Sequence, residues 1–477
     1  MNPAAGNVSG VRWMGVAQTT VAAAQVLQLV VLSRVLAPAD FGIVATATVF
    51  IAFLQLFTDL GVSAAIVQQT EVTEQQLNSL VVLSGAVGAG LALILAGSSY
   101  AIAKVTGEPR LQPVLAAMSP LLLLAALTGP TRAANLRRFR YRSLALIDMA
   151  AAGAGAAVGI ATGVSGLGVY SLVVGALAQS LAATVLNLRL ASVRQLMQVQ
   201  VERTTIRSFL RFGRYQMAQT ALTYLHAQFD ILLIGRLLGM QPLGVYAVAR
   251  SICVRPLEVM NPLYSNIAFP TLARLQHDLA ELREAYLRGL EILCTGSFFV
   301  YALLFATAEP LVDIVLGKSW DAAVPIVRIL SIYFMLRSLG NPAGTLLLAT
   351  GRVQWALRWN AAMFMFVPLA IWGGSAGGLT GVAWTMTALM TLIVIPMWWF
   401  LVRPCCGASF GDYHSRIVRP LALAAMAVGV GAWAGAGLKA SIIAVVVIVG
   451  VSIVVYAALL RMLSAPIFAA IRTLLRC

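Results

Sequence analysis

LQPVLAAMSPLLLLAALTGPT, residues 111–131, runs directly into RAANLRRFRYR, residues 132–142. The first stretch holds no charged side chain. The second holds Arg132, Arg137, Arg138, Arg140 and Arg142. At 1.5 Å per residue a helix over the first stretch is about 30 Å long, the thickness of the hydrocarbon core of a bilayer. The second reads as a connector at the membrane surface, where arginines gather.

The same alternation extends in both directions. Toward the amino end, apolar runs cover roughly 11–36, 40–67 and 79–103; toward the carboxyl end they cover 143–164 and 167–190. A polar, basic stretch, 191–208, follows. Six more runs cover 209–238, 242–269, 286–316, 322–350, 353–373 and 377–402, and two others lie near 417–437 and 440–461. The pattern predicts an all-α polytopic membrane protein with about 14 transmembrane helices. A membrane β-barrel would instead show ten-residue segments of alternating polarity.

Composition agrees. Of 477 residues 60% are hydrophobic and 10% charged, with mean hydropathy +0.88. A soluble domain carries about 25% charged residues. The net charge of +16 is dispersed over short connectors, with no polar domain to hold a nucleic acid, so nucleic-acid binding is not expected. Cys253, Cys294, Cys405, Cys406 and Cys477 have no metal-type spacing, and neither a metal nor a cofactor is implied. The first apolar run carries Gln18, Gln25 and Gln28 and leads into another span, so it reads as a retained helix.

The connectors give an orientation. Alternate connectors, together with both termini, carry about 23 arginines. The opposite set carries Arg34, Lys104, Arg110, Arg236, Lys318 and Lys439. The positive-inside rule places the first set, and both termini, in the cytoplasm.

The chain also repeats itself. Arg34-Val-Leu-Ala-Pro-Ala-Asp-Phe-Gly42 between spans one and two matches Arg236-Leu-Leu-Gly-Met-Gln-Pro-Leu-Gly244 between spans seven and eight. Pro130, Leu136 and Arg140 match Pro342, Leu348 and Arg352, and Gly168-Val169 matches Gly381-Val382. The offsets, about 202, 212 and 213, describe one six-helix duplication. The predicted organisation is an N-terminal six-helix bundle (1–190), a basic cytoplasmic linker (191–208), a C-terminal six-helix bundle (209–403), and two extra helices with a tail (404–477). Six spans per repeat insert the same way up, so the bundles should be related by a pseudo-two-fold along the membrane normal, with a substrate path between them.

Polar side chains within the spans mark candidate sites. An ionisable group at a helix centre costs about 2.5–3.5 kcal/mol on insertion scales. Span seven carries Gln219, Thr223, His226 and Asp230 largely on one face. Span eight carries Arg250, Glu258, Asn261 and Ser265, with Arg255 and Asn266 close by. Span two carries Asp59, span five Asp148, and span ten Arg328 and Arg337. Two readings stand for each. Gln and Asn serve either as hydrogen-bond links between helices or as ligand contacts. Asp148 and Arg328 read best as interfacial groups that snorkel. Arg250, Arg255 and Glu258, in the middle third of a span, form either a structural ion pair or a transport site, and His226 with Asp230 either a plain hydrogen-bonded pair or a titrating site.

Enzyme signatures are weak. Gly317-Lys318-Ser319 imitates the end of a phosphate-binding loop, but Val312 stands where the upstream glycine belongs. Gly163, Gly166 and Gly168 mark a turn between helices. Paired carboxylates and a Ser-His-Asp set are not identifiable, and direct use of ATP would need another chain.

Ser33-Arg34-Val-Leu-Ala-Pro38-Ala-Asp40-Phe41-Gly42, followed by Phe57-Thr-Asp59-Leu-Gly61-Val-Ser-Ala-Ala-Ile-Val-Gln68, resembles the polysaccharide flippase family of the multidrug/oligosaccharidyl-lipid/polysaccharide exporter superfamily, and most closely its Wzx-type, colanic-acid-exporter-like members. Asn261-Pro262 with Phe269-Pro270-Thr-Leu-Ala-Arg274-Leu-Gln276 is similar to that family's end of span eight, and Leu316-Gly317-Lys-Ser-Trp320 to its connector between spans nine and ten. The resemblance implies a flippase that carries undecaprenyl-diphosphate-linked oligosaccharide from the cytoplasmic to the periplasmic leaflet of a bacterial inner membrane. Expected partners are that lipid-linked oligosaccharide, membrane lipids, a proton or Na⁺ as coupling ion, and the polysaccharide polymerase and glycosyltransferases of an exopolysaccharide, capsule or O-antigen pathway.

Such a substrate has an anionic head, a polar glycan and an apolar tail. Arg250, Arg255 and Arg337 suit the diphosphate. Gln18, Gln25, Gln28, Gln219, Asn261 and Asn266 suit sugar hydroxyls, and Asp59, His226, Asp230 and Glu258 suit ion coupling. These roles come from position, not from the resemblance. Alternatives are a lipid II flippase, a multidrug/cation antiporter of the same superfamily, a membrane-bound glycosyltransferase or polymerase, and a non-transporting scaffold. An antiporter for cations would favour acidic over arginine-bearing spans, and a transferase would need a longer carboxylate-bearing loop than any connector here offers.

Overall fold

The structure is a computed structural model. It describes residues 3–58, 66, 74–191, 224–225, 227–438 and 442–463. Among these residues every regular element is helical. In chain order they are α1 (Pro3–Ser33), α2 (Pro38–Gln55), α3 (Glu74–Thr106), α4 (Leu111–Met118), α5 (Pro120–Arg137), α6 (Tyr141–Val164) and α7 (Tyr170–Ala191). A helix over residues 227–238, α8, follows. Then come α9 (Met240–Arg274), α10 (Leu279–Ala306), α11 (Ala308–Val315), α12 (Ala323–Arg337), α13 (Gly340–Ala349), α14 (Val353–Gly374), α15 (Gly378–Leu392), α16 (Phe410–Gly435) and α17 (Ile442–Leu463).

Eleven described segments are long and apolar enough to cross a bilayer. One of them, Val353–Cys406, is 54 residues long. A straight helix of that length would reach about 80 Å, far beyond a bilayer core of about 30 Å. It turns back at Ser375–Gly377, and so makes two passes. The 35-residue helix α9 falls outside the eleven, since it carries Arg250, Arg255, Glu258 and Arg274. With it and the described helix at 227–238 the helical passes number the 14 expected. The protein is an all-α, multi-pass membrane protein. Its outward apolar side chains include Leu93, Trp372, Trp433 and Met462, which hydrocarbon accepts and water does not.

Two expected spans are broken for a local reason. Pro120 has no N–H for the carbonyl of Ala116. That carbonyl instead takes the Ser119 hydroxyl at 2.9 Å and the Ser119 N–H at 3.4 Å, so the span divides into α4 and α5. Pro342 likewise cannot serve Ser338, and α12 gives way to α13 at Ser338–Leu339.

The chain divides into two compact units, Met1–Gly244 and Val245–Cys477. In the first, α6 and α7 pack through glycine. A Cβ on Gly155 would lie 2.6 Å from the Gln179 Cβ, and one on Gly175 would lie 3.1 Å from the Gly159 Cα. Small residues of this kind let membrane helices approach closely. In the second unit α10, α16 and α17 enclose an apolar core that includes Tyr286, Phe298, Trp398 and Tyr413. Phe299 and Tyr456 stack at 4.2 Å, and the Tyr456 hydroxyl donates to the Thr295 carbonyl at 2.7 Å.

The repeat has a structural counterpart within each unit. Phe139 (φ +54) and Gly351 (φ +70), 212 positions apart, both adopt the left-handed conformation. The residues that follow, Arg140 and Arg352, cap α6 and α14 with nearly equal backbone angles, −82/45 and −91/42. The Arg140 guanidinium donates to the Leu190 carbonyl at the end of α7 at 2.6 Å. The Arg352 guanidinium donates to the Pro404 carbonyl, beyond α15. Each arginine serves carbonyls at the negative end of a helix.

Candidate functional site

Helix α9 carries the polar stripe expected of span eight. Pro256, Pro262 and Pro270 lie inside it, and each leaves one carbonyl four residues earlier without its helical N–H. In hydrocarbon such carbonyls are tolerated where neighbouring polar groups or water reach them. Arg255 and Glu258 pair at 3.2 Å, one turn apart, with side chains 61% and 54% exposed. They point away from the packed core of their unit. Arg250 is half-buried on the same helix.

Farther along α9, Asn261, Ser265 and Asn266 face α13. The Asn341 side-chain amide donates to the Asn261 carbonyl at 3.2 Å. The Ser265 hydroxyl donates to Asn341 Oδ1 at 3.1 Å and lies 3.4 Å from the Thr345 hydroxyl. The Asn261 Oδ1 is buried with no hydrogen-bond partner among the described residues. Ser265, Asn341 and Thr345 border a pocket of about 440 Å³ in the second unit, with Asn266, Gly340 and Gly344 also on its wall. Its polar lining is all amide and hydroxyl.

Arg337 ends α12. Its guanidinium reaches the Tyr333 hydroxyl at 3.4 Å and lies 6.0 Å and 5.8 Å from the Tyr333 and Phe334 ring centres, a cation–π arrangement. Asp230 on α8 is only 6% exposed and accepts the Ile231 N–H at 2.9 Å. Asp59, Gln219 and His226 lie outside the described residues.

A second pocket, of about 350 Å³, lies in the first unit. Gln18, Gln55, Asp148, Gln179 and Ser180 supply its polar groups from α1, α2, α6 and α7. Asp148 departs from the expected snorkelling carboxylate. Arg132 holds it in a two-pronged pair, at 2.6 and 2.8 Å, because α5 and α6 form a hairpin that brings the two side chains together. Arg328 pairs with Glu309 at 3.1 Å, and both remain substantially exposed. Of the remaining α1 glutamines, Gln25 is exposed. Gln28 fits between α6 and α7, its Nε2 2.6 Å from where a Gly159 Cβ would stand and 3.0 Å from that of Gly175.

Sequence reading missed Arg132, Gln55, Gln179, Ser180, Asn341 and Thr345 as neighbours of these pockets. It also missed Glu291, which is 4% exposed and paired with Arg416. Arg132 and Asp148, 16 residues apart across one connector, were within reach of a hairpin argument. Glu291 and Arg416, 125 apart, offered no local signal. Among the described residues no three His, Cys, Asp or Glu side chains converge as a metal site.

A family described as "Polysaccharide biosynthesis protein" matches residues 31–325. The lipopolysaccharide biosynthesis protein WzxC of Escherichia coli (strain K12) is 24% identical over 418 residues, covering 87% of this chain and 85% of the relative. The teichuronic acid biosynthesis protein TuaB of Bacillus subtilis (strain 168) is 26% identical over 430 residues, with coverage of 88% and 86%. The succinoglycan biosynthesis transport protein ExoT of Rhizobium meliloti (strain 1021) is 24% identical over 324 residues, with coverage of 68% and 65%. Among solved structures, lipid II flippase MurJ in an inward closed conformation superposes with TM-score 0.68 at 10% identity, over 94% of this chain and 99% of that one. An inward-facing multidrug resistance MATE family transporter of the MOP superfamily superposes with TM-score 0.61 at 14% identity, over 79% and 92%. At these identities the solved structures share the fold.

Proposed function

The chain belongs to the polysaccharide biosynthesis protein family, and from that premise we propose that it is a flippase for undecaprenyl-diphosphate-linked oligosaccharide repeat units. It moves them from the cytoplasmic to the periplasmic leaflet of a bacterial inner membrane. The observation that carries this reading is the face of α9: an exposed Arg255–Glu258 pair continuing into the amide- and hydroxyl-lined pocket of Ser265, Asn266, Asn341 and Thr345. Cation, amide and hydroxyl follow one another along a membrane helix in the order that a diphosphate and its attached sugars require.

The assigned roles follow from chemistry. Arg250, Arg255 and Arg337 attract the diphosphate, arginine being suited to bidentate contact with phosphate oxygens. Asn261 and Asn266, with Gln18, Gln25, Gln28 and Gln219, bond sugar hydroxyls. Asp59, His226, Asp230 and Glu258 exchange the coupling proton or Na⁺. A phosphate entering beside Arg255 competes with Glu258 for the guanidinium, which links anion arrival to release of a carboxylate. One elementary charge moved through 100 mV supplies about 2.3 kcal/mol, enough to bias alternating access. The polymerase and glycosyltransferases of the pathway would take the flipped unit and supply the unflipped one.

Reconstitution tests the reading. Proteoliposomes loaded with undecaprenyl-diphosphate-linked oligosaccharide should expose the glycan to an external, impermeant lectin only when the protein is present. Arg255→Gln and Arg250→Gln together should slow exposure at least tenfold. Exposure of lipid II but not of other oligosaccharides would favour the lipid II alternative. Failure to expose either would remove the flippase reading.

A further inference from the structure

We propose that the pocket walled by α1, α2, α6 and α7 in the first unit is a binding subsite for neutral sugar residues, built around a carboxylate whose charge Arg132 cancels. This rests on the flippase reading for its place in transport, but the chemistry of the pocket stands by itself.

The first argument is unused hydrogen-bonding capacity. Gln18, Gln55 and Gln179 come from three different helices to one concavity. The side-chain amides of all three make no hydrogen bond with any described protein group. Glutamines that serve to link membrane helices use their amides on a neighbour. Three amides that converge and bond nothing offer six donors and three acceptors to whatever occupies the space. The Ser180 hydroxyl adds one more group of each kind.

The second argument is charge. Asp148 faces the pocket while Arg132 grips both its oxygens from behind, at 2.6 and 2.8 Å. The pair is neutral as a unit. A cation would have to displace a bidentate guanidinium. An anion would meet the carboxylate before the guanidinium. A neutral hydroxyl needs neither displacement, since each carboxylate oxygen keeps a lone pair for an O–H donor. Fixing the carboxylate in one orientation also makes it selective for hydroxyl geometry.

The third argument is size and lining. About 350 Å³ lies within the range of small-ligand sites and has room for roughly one or two sugar rings. Val21, Leu121 and Ala151 supply apolar wall for the C–H faces of a ring. No aromatic side chain among the described residues lines the pocket, so binding should be weak, as a site on a transport path requires. Arg132 opens the connector that the charge bias places in the cytoplasm, where the lipid-linked unit is loaded.

The test uses the full chain in nanodiscs and saturation-transfer NMR with methyl glycosides of glucose, galactose, mannose and rhamnose. At least one should give a signal. It should fall at least fivefold in Gln55→Ala/Gln179→Ala and in Ser180→Val, variants that leave the Arg132–Asp148 pair untouched. Neither 100 mM Na⁺ nor pyrophosphate should displace it. A signal equal in wild type and both variants, displacement by Na⁺ or pyrophosphate, or no signal from any glycoside would each overturn the proposal. Thermal melts of both variants within a few degrees of wild type would show that they fold. A parallel flipping assay separates this inference from the reading it rests on. Wild type that flips lipid-linked oligosaccharide while the pocket variants bind glycosides normally sinks the subsite alone. Wild type that binds glycosides through the pocket but flips nothing sinks the flippase reading alone.

Discussion

Asp148 and Arg132 show what one half-buried pair demands of a membrane helix hairpin. Removing one partner strands the other charge. Both side chains retain some exposure, 20% and 31%, so the penalty is smaller than for a sealed pair. Asp148→Asn should destabilise the protein by about 1–3 kcal/mol, and Arg132→Gln by a similar amount. The double variant should lose less than the sum of the two. Thermal unfolding in detergent reads all three; strict additivity would mean that the pair contributes nothing. Phe139 is a second informative residue. It holds the left-handed conformation that costs a side-chain-bearing residue about 1–2 kcal/mol, where the matching position is Gly351. Phe139→Gly should therefore raise stability by up to about 1 kcal/mol, and a lowered melting temperature would contradict that. At this scale the sequence was legible where partners are close along the chain: Arg255 and Glu258 stand three apart and pair. Pairs that need tertiary knowledge, such as Arg416 with Glu291, left no mark in spacing.

Among elements, the starts of α2 and α9 carry the repeat most visibly. Pro38 and Met240 are 202 positions apart, as are Gly42 and Gly244. Within the first unit these positions meet reciprocally. A Cβ on Gly42 would overlap the carbonyl oxygen of Met240, and one on Gly244 would overlap that of Pro38. Glycine is required at both because backbone, not a yielding side chain, fills the space. Gly42→Ala and Gly244→Ala should each destabilise by about 1–3 kcal/mol or more through overpacking. Gly153→Ala, where nothing lies within 4 Å, should be neutral or slightly stabilising through helix propensity. Equal melting temperatures for all three would refute the close approach. The shared Arg-to-Gly separation was readable in the chain, but the contact between the two copies was not, since a repeat specifies likeness and not adjacency. The helix breaks at Ser119 and Ser338 were likewise hidden inside apolar runs, although Pro120 and Pro342 supply the reason.

At the scale of the whole molecule, hydropathy alone placed nearly every pass, because a span of apolar residues has few other uses. The faintest of them is α9, read at 242–269, whose arginines and glutamate lower its hydropathy. That is also the helix to which the proposed diphosphate and sugar contacts are assigned. The two polar pockets were only partly foreseen, since Gln18 and Asn266 were marked but Gln55, Gln179, Asn341 and Thr345 were not. Amides scattered one per helix give no period to read. The polar face of α9 should meet water and glycan within the membrane, not lipid. Cysteine accessibility tests this directly. In a background freed of native cysteines, single cysteines at positions 255, 258 and 266 are treated with a membrane-impermeant maleimide, alongside controls at Leu93 and Trp433 on the apolar exterior. The expected result is labelling at all three α9 positions, reduced when undecaprenyl-diphosphate-linked oligosaccharide is present, and none at the controls. Labelling no greater at 255, 258 and 266 than at 93 and 433 would contradict it.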